Sequence, residues 1–168
     1  MLPRHAAEPR PALPFDAIAR DATAMSKSAP DHHDAELVLK IYDLRREAVM
    51  RASRDAINRD YWPRNEAEAV AVLQPEHPLN RAYRQTSTYW EMVYSMAWRG
   101  VIHPDFLLDS AGEGLFLFAR VEPYLAAIRS VGNPRSFHKA EWIAKETESG
   151  RALVDIFRAR IAKKLGAK

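Results

Sequence analysis

The feature that most constrains the fold of this chain is the alternation of helix breakers and apolar runs between Pro78 and Pro134. Pro78 precedes an apolar run that ends at Gly100, the pair His103-Pro104 precedes the next run, and Gly132-Asn133-Pro134 follows the last. Proline is favoured in the first turn of a helix, and glycine is favoured directly after its end. This stretch therefore predicts a series of helices that pack together in one core.

Apolar residues elsewhere also recur at helical spacing, and no alternating run is long enough to predict a strand. We predict an all-α fold, an irregular bundle of about five to six helices in a single domain. A long helix is expected over 34–61, an aromatic helix over 79–99, and a helix over 115–131 with a kink at Pro123. Apolar side chains surround most of the aromatic helix, which is typical of a fully buried, central element.

Residues that favour helix ends predict further boundaries. Asn65 has the side chain of an N-cap and begins a short helix, while Ser136 is predicted to cap a helix over 137–147. The last segment, 150–165, either continues that helix or is hinged at Ser149-Gly150.

The first thirty residues differ from the rest in composition, since they hold five of the eleven prolines and few large apolar side chains. Such a segment buries too little surface to offset its chain entropy. We predict a disordered or loosely ordered extension over 1–30 and a helical domain over 31–168. Met25 is an alternative translation start, in which case residues 1–24 would not belong to the protein.

Composition excludes several classes of function. The chain has no cysteine, which rules out disulfides, thiolate metal sites and cysteine nucleophiles. It has no apolar run of the length that a membrane span needs, and we expect a soluble, cytoplasmic protein. It also lacks a glycine-rich phosphate loop, a nucleophile elbow and a zinc-protease motif, so we predict no cofactor.

The triplet Asp31-His32-His33 matches the signature of phosphoesterases in which these residues bind metal within an α/β domain. Here the triplet directly precedes a predicted long helix, in a chain without predicted strands. An aspartate before a helix is an ordinary N-cap. We therefore interpret Asp31 as a cap and predict no metal site.

Glu91, His103 and Asp105 are the candidates for catalysis. A carboxylate desolvated among the aromatic rings around Glu91 would have a raised pKa and could act as an acid or base. In the alternative that we prefer, Asp105 is an exposed first-turn acid, and Glu91 points outward or pairs with Arg84 or Arg99. The aromatic stripe of the same helix is interpreted as core packing rather than a ligand platform, and comprises Tyr83, Trp90, Tyr94 and Trp98.

Positive charge is concentrated in the segment 151–168, which has six basic residues against the single Asp155. A basic amphipathic helix of this kind can bind an anionic membrane, or nucleic acid through its phosphates. It can equally dock on the core and leave its cations in water, which is the interpretation that we prefer. The candidate interaction residues of this helix are Arg151, Arg158, Lys163 and Lys164.

The stretch from Tyr89 to Arg129 resembles small uncharacterised bacterial helical proteins that are known only as a domain of unknown function. The resemblance covers about a quarter of the chain. It implies an all-helical fold and no particular activity, so no site residue follows from it. The residues that carry it are Trp90-Glu91, the segment 100–105, Gly112, and Pro123-Tyr124 through Arg129.

These patterns favour a non-enzymatic interaction or regulatory module over an enzyme. A helix of about 28 residues is longer than the core of so small a domain needs, so we expect a protein partner or a homodimer. Two alternatives stay open. One is an enzyme with a His/carboxylate site near Glu91, His103 and Asp105, and the other is a peripheral binder of anionic membrane or nucleic acid through the C-terminal helix.

Overall fold

The computed structural model describes residues 27–166, and all regular structure in that range is helical, which confirms the predicted fold class. Predictions for residues 1–26 lie outside the described residues, and the division at residue 30 stays a prediction. The described part has more helical segments than the five to six expected. A 3₁₀ turn at Glu122–Tyr124 follows α6, and the α-helices are α1 His32–Arg46, α2 Ala48–Asp60, α3 Glu66–Ala71, α4 Asn80–Trp98, α5 Pro104–Ala111, α6 Glu113–Val121, α7 Leu125–Val131, α8 His138–Glu146 and α9 Glu148–Gly166.

The long helix expected over 34–61 is wrong, because the backbone breaks at Glu47 and forms two helices, α1 and α2. Glu47 has a ψ of 140°, which a helix cannot continue through. Its carboxylate accepts hydrogen bonds from the amides of Val49 at 3.0 Å and Met50 at 3.1 Å, so it caps α2. The argument for a homodimer from an overhanging long helix is therefore lost, and self-association stays a prediction without that support.

Other boundaries follow the sequence more closely. The Asp31 carboxylate accepts bonds from the first-turn amides of α1 and forms a capping box with Asp34, which confirms its interpretation as a cap. Asn65 accepts a bond from the amide of Glu68 at 2.9 Å and caps α3. The kink predicted at Pro123 is present as the 3₁₀ turn between α6 and α7.

The hinge between the last two helices lies at Thr147 rather than at Ser149-Gly150. The Thr147 hydroxyl accepts a hydrogen bond from the amide of Gly150 at 3.0 Å and donates one to the carbonyl of Ile143 at 2.7 Å. The Thr147 side chain thus binds a carbonyl at the end of α8 and caps an amide at the start of α9. A Cβ atom on Gly150 would overlap the Ile143 carbonyl oxygen, so the two helices approach closely here because residue 150 is glycine.

Helix α4 is the centre of the fold and packs against α2, α5, α6 and α8. Its aromatic stripe is buried, which confirms the core interpretation: Tyr83, Trp90, Tyr94 and Trp98. The helix is nevertheless not buried all round. An exposed strip runs along it, with 43% of Met92 accessible, and the other exposed positions of the strip are Arg81, Arg84, Gln85 and Thr88.

Arg120 is a charged residue of α6 that is only 3% exposed. Its guanidinium donates hydrogen bonds to the carbonyl oxygens of Ile57 and Tyr61, both at 2.9 Å, and to the Asn58 Oδ1 atom at 3.0 Å. These acceptors lie at the C-terminal end of α2, where the Tyr61 carbonyl has no partner within the helix and the Ile57 carbonyl accepts only the Tyr61 amide, at 3.1 Å. Burial lowers the pKa of Arg120 to about 10. Arg120 therefore caps α2 from a different helix.

Candidate functional site

A groove of about 760 Å³ runs between the exposed strip of α4 and the segment that leads into α8. This volume lies within the range of small-molecule sites in proteins. The wall from α4 is mixed polar and apolar, and the opposite wall comes from the residues around the start of α8. The side chains that matter for its chemistry include Arg84, Ser87 and Met92 on one side and Ser136, Phe137 and Lys139 on the other.

Glu91 lies half-buried in the lining of this groove, with both carboxylate oxygens engaged. The Lys139 amide donates to Oε1 and Oε2 at 3.1 Å each, and the Ala140 amide donates to Oε1 at 2.8 Å. Both amides belong to the first turn of α8, where no acceptor exists within the helix. Glu91 of α4 therefore caps α8 across the tertiary structure.

The cap comes from another helix because the residues before α8 do not supply one. Phe137, at the N-cap position, has a left-handed φ of 57° and an apolar side chain. Ser136 makes no side-chain bond to the start of α8, so its prediction as the cap is wrong. The prediction that Glu91 points outward or pairs with Arg84 or Arg99 is also wrong, because its carboxylate accepts the amides at the start of α8 instead. A carboxylate near a helix start is stabilised by the helix dipole as well as by the amides.

Two opposing influences act on the pKa of Glu91. Burial is the largest and raises the pKa, as the sequence suggested for a carboxylate among aromatic rings. The hydrogen bonds from Ala140 and Lys139 and the nearby charges of Lys139 and Arg129 lower it, but the net direction is upward. A carboxylate that holds two backbone amides stabilises the start of a helix.

His103 and Asp105 are not gathered with Glu91. His103 caps α5, because its Nδ1 atom accepts a hydrogen bond from the Phe106 amide at 3.4 Å. Asp105 lies in the first turn of α5 as predicted, but it is half-buried rather than exposed, and its Oδ1 atom has no hydrogen-bond partner among the described residues. Neither residue lines the groove, and the charges that act on Glu91 come from Lys139 and Arg129.

Positive charge predominates in the groove, which has Arg84, Arg135 and Lys139 against Glu91. The Lys139 ammonium lies 3.9 Å from the centre of the Trp98 ring. Burial lowers the pKa of Lys139, and the neighbouring Arg135 and Arg99 lower it further while Glu91 raises it. Among residues 27–166, no acid pairs with Arg84. An anion in this groove would meet the Arg84 guanidinium without displacing an acid of the described residues.

The four predicted interaction residues of the C-terminal helix lie on α9, and three of them contact the rest of the fold. Arg158 pairs with Glu122 and with Asp155, each at 2.7 Å. Arg151 donates to the Lys145 carbonyl at 2.7 Å, and the Lys164 ammonium lies 3.9 Å from the centre of the Trp62 ring. Lys163 is exposed. Binding through α9 stays a prediction, and these contacts agree with a helix docked on the core.

The described residues offer little for two other classes of site. Within residues 27–166, no group of three or more histidines and acids is arranged to hold a metal ion. None of the described helices combines the length with the apolar character that crossing a bilayer requires.

The sequence identified Glu91 but not the groove that surrounds it. Polar residues of α4 recur every three to four positions from Arg81 to Thr88. This pattern is a sequence signal that could have predicted an exposed face of the helix. The approach of Ser136 and Lys139 to that face depends on how the chain returns after α7, which local patterns do not encode. All the lining residues lie between Leu73 and Lys139.

Comparison with known proteins places the groove within a recognised family. A family model described as a domain of unknown function, DUF4760, matches residues 30–147, which include the whole groove and end before α9. No curated protein and no solved structure matches this chain. The match confirms the resemblance seen over 89–129 and extends it, and the chain belongs to this family of unknown function, DUF4760.

Proposed function

We propose that this protein is a non-enzymatic binding module, of the interaction or regulatory kind, and that the groove beside α4 is its binding surface. The observation that carries the proposal is the engagement of Glu91 by the amides of α8, since Glu91 is the one acid among the described residues that line the groove. The groove has the volume of a ligand site, but its acid has a structural task. Such a site binds a molecule without providing a free acid or base to transform it.

Two further observations support this function over the alternatives. An enzyme built on Glu91, His103 and Asp105 would need these side chains around one substrate, and only Glu91 lines the groove. A binder that uses α9 would need free cations on that helix, whereas Arg158 and Lys164 contact other parts of the fold. The groove also lies entirely within the family match, and α9 lies outside it.

Fragment binding followed by amide NMR tests the proposal. We expect a library of small polar and apolar fragments to shift amide resonances of groove residues, such as Ser87, Ser95 and Ser136, more than those of any other surface. The proposal is wrong if the fragments that bind cluster on another surface, for example α9, or if no fragment shifts a groove resonance at millimolar concentration.

A matched pair of variants assigns the shifts to the groove itself. Ser87→Trp places a large ring in the groove from its α4 wall and should abolish the shifts at Ser95 and Ser136. Ala52→Trp adds the same ring to an exposed position of α2 outside the groove and should leave them unchanged. Equal binding to both variants would mean that the fragments do not occupy the groove.

A further inference from the structure

The charged residues of the groove are divided between its two ends. Arg84 precedes Glu91 by seven residues on α4, about 10 Å along the helix axis. Lys139 lies beside Glu91, since its amide is bonded to the Glu91 carboxylate, and its ammonium extends to the ring of Trp98 at the C-terminal end of α4. The groove therefore has Arg84 near one end and Lys139 near the other, and Arg135 lies close enough to Lys139 to lower its pKa.

The stretch between these cations is of mixed polarity, and its α4 hydroxyls are occupied as donors. Ser87 and Ser95 donate to the carbonyls of Arg84 and Met92. Met92 adds exposed apolar surface, and the buried Phe137 ring lies in the opposite wall. The Thr88 hydroxyl is occupied as a donor, because it bonds to the Arg84 carbonyl at 2.6 Å. An anion bound in the middle of the groove would meet few free donors, whereas an alkyl or aryl body would contact apolar side chains.

Tyr83 is a further polar group in the lining that the fold does not use. The residue is 4% exposed, and its hydroxyl has no hydrogen-bond partner among the described residues. An unpaired buried hydroxyl costs stability. The Tyr83 ring packs against the rings of Tyr61 and Phe137 at centroid distances of 5.3 and 6.2 Å, so this hydroxyl lies behind the wall of the groove and is not offered to a ligand.

We infer that the groove takes an elongated organic molecule with an acidic group at each end, one bound by Arg84 and the other by Lys139, with its apolar middle against Met92 and Phe137. Guanidinium and ammonium groups are the usual partners of carboxylates and phosphates. The inference rests on the proposed function, because it names the class of ligand for the same groove.

A series of eight-carbon probes of equal length separates charge from shape. The probes are suberate with two carboxylates, octanoate with one, 1,8-octanediol with none and 1,8-diaminooctane with two cations. We expect suberate to bind most tightly, octanoate about tenfold more weakly, the diol more weakly still, and the diamine to cause no shift in groove resonances. Binding of suberate should also weaken as salt is added.

Charge-removing variants identify the two ends. Arg84→Gln and Lys139→Gln should each reduce suberate affinity about tenfold, to the level of octanoate, and leave binding of the diol unchanged. Lys40→Gln removes the same charge from an exposed position of α1 and should change nothing. If the diol or the diamine binds in the groove as tightly as suberate, the acidic ligand is wrong while the binding surface stands. If no probe shifts a groove resonance, the class of ligand is wrong, and the fragment library decides separately whether the groove is a binding surface.

Discussion

Replacing Arg120 with methionine is expected to lower the free energy of unfolding by about 3 kcal/mol. Methionine fills a similar volume but donates no hydrogen bond, so the Tyr61 carbonyl and the Asn58 amide oxygen lose their donor, while the Ile57 carbonyl keeps only the Tyr61 amide. Each buried acceptor without a partner costs about 1–3 kcal/mol, and the loss is partly offset because a charge is no longer buried. Urea unfolding monitored by circular dichroism at 222 nm measures the change.

Arg158→Met is the matched control for this substitution. Arg158 forms an ion pair with Glu122 at the surface, and exposed pairs of this kind contribute at most about 1 kcal/mol. We therefore expect a loss at least twice as large for Arg120→Met. Equal losses in the two variants would contradict the role of Arg120 as the cap of α2.

Gly114→Ala is expected to destabilise the protein by about 2–3 kcal/mol, since overpacking of a filled core costs energy of this order. A Cβ atom on residue 114 would lie 2.5 Å from the hydroxyl oxygen of Tyr94 and 2.6 Å from two atoms of the Trp90 ring. Both rings are buried in the centre of the fold, so they cannot turn aside without moving α4 or α6. Thermal and urea unfolding of the variant measure the effect.

Gly166→Ala is the matched control, because it makes the same substitution at a position that is not closely packed. A Cβ atom on residue 166 meets none of the described residues within 4 Å, and alanine has a higher helix propensity than glycine. This variant should be as stable as the parent or slightly more stable. A loss of stability in Gly166→Ala similar to that in Gly114→Ala would show that close packing at residue 114 is not the cause.

Local patterns predicted most of the fold because helix ends depend on neighbouring residues. Asp31, Asn65, Gly100 and Pro123 each act within four residues of their own position, and the structure has the expected cap, turn or kink at each. Glu47 shows the limit of this reasoning. It stands four residues before Arg51, which is the spacing of an ion pair within one helix, but the same side chain can reach the amides of a new helix, and tertiary packing decides between the two.

The parts that could not be predicted depend on side chains that act between distant helices. Glu91 caps α8 from 48 residues away, and Arg120 reaches the carbonyl of Ile57 from 63 residues away. The sequence raised the possibility that Glu91 is buried with a raised pKa, but it did not identify the partners of the carboxylate. These partners are the backbone amides of Lys139 and Ala140, and backbone atoms carry no sequence signal. The groove depends on the same long-range contact, since the Glu91 bonds join one of its walls to the other.

Amide hydrogen exchange of Lys139 and Ala140 tests most directly the claim that the acid of the groove is a structural cap. In the parent protein these two amides should exchange at least about tenfold more slowly than unprotected amides, because Glu91 accepts their hydrogen bonds. In Glu91→Ala they should exchange at the rate of unprotected amides, while the amide of Ile143 inside α8 stays protected. Free exchange of Lys139 and Ala140 in the parent protein would contradict the cap and leave Glu91 available as an acid or base.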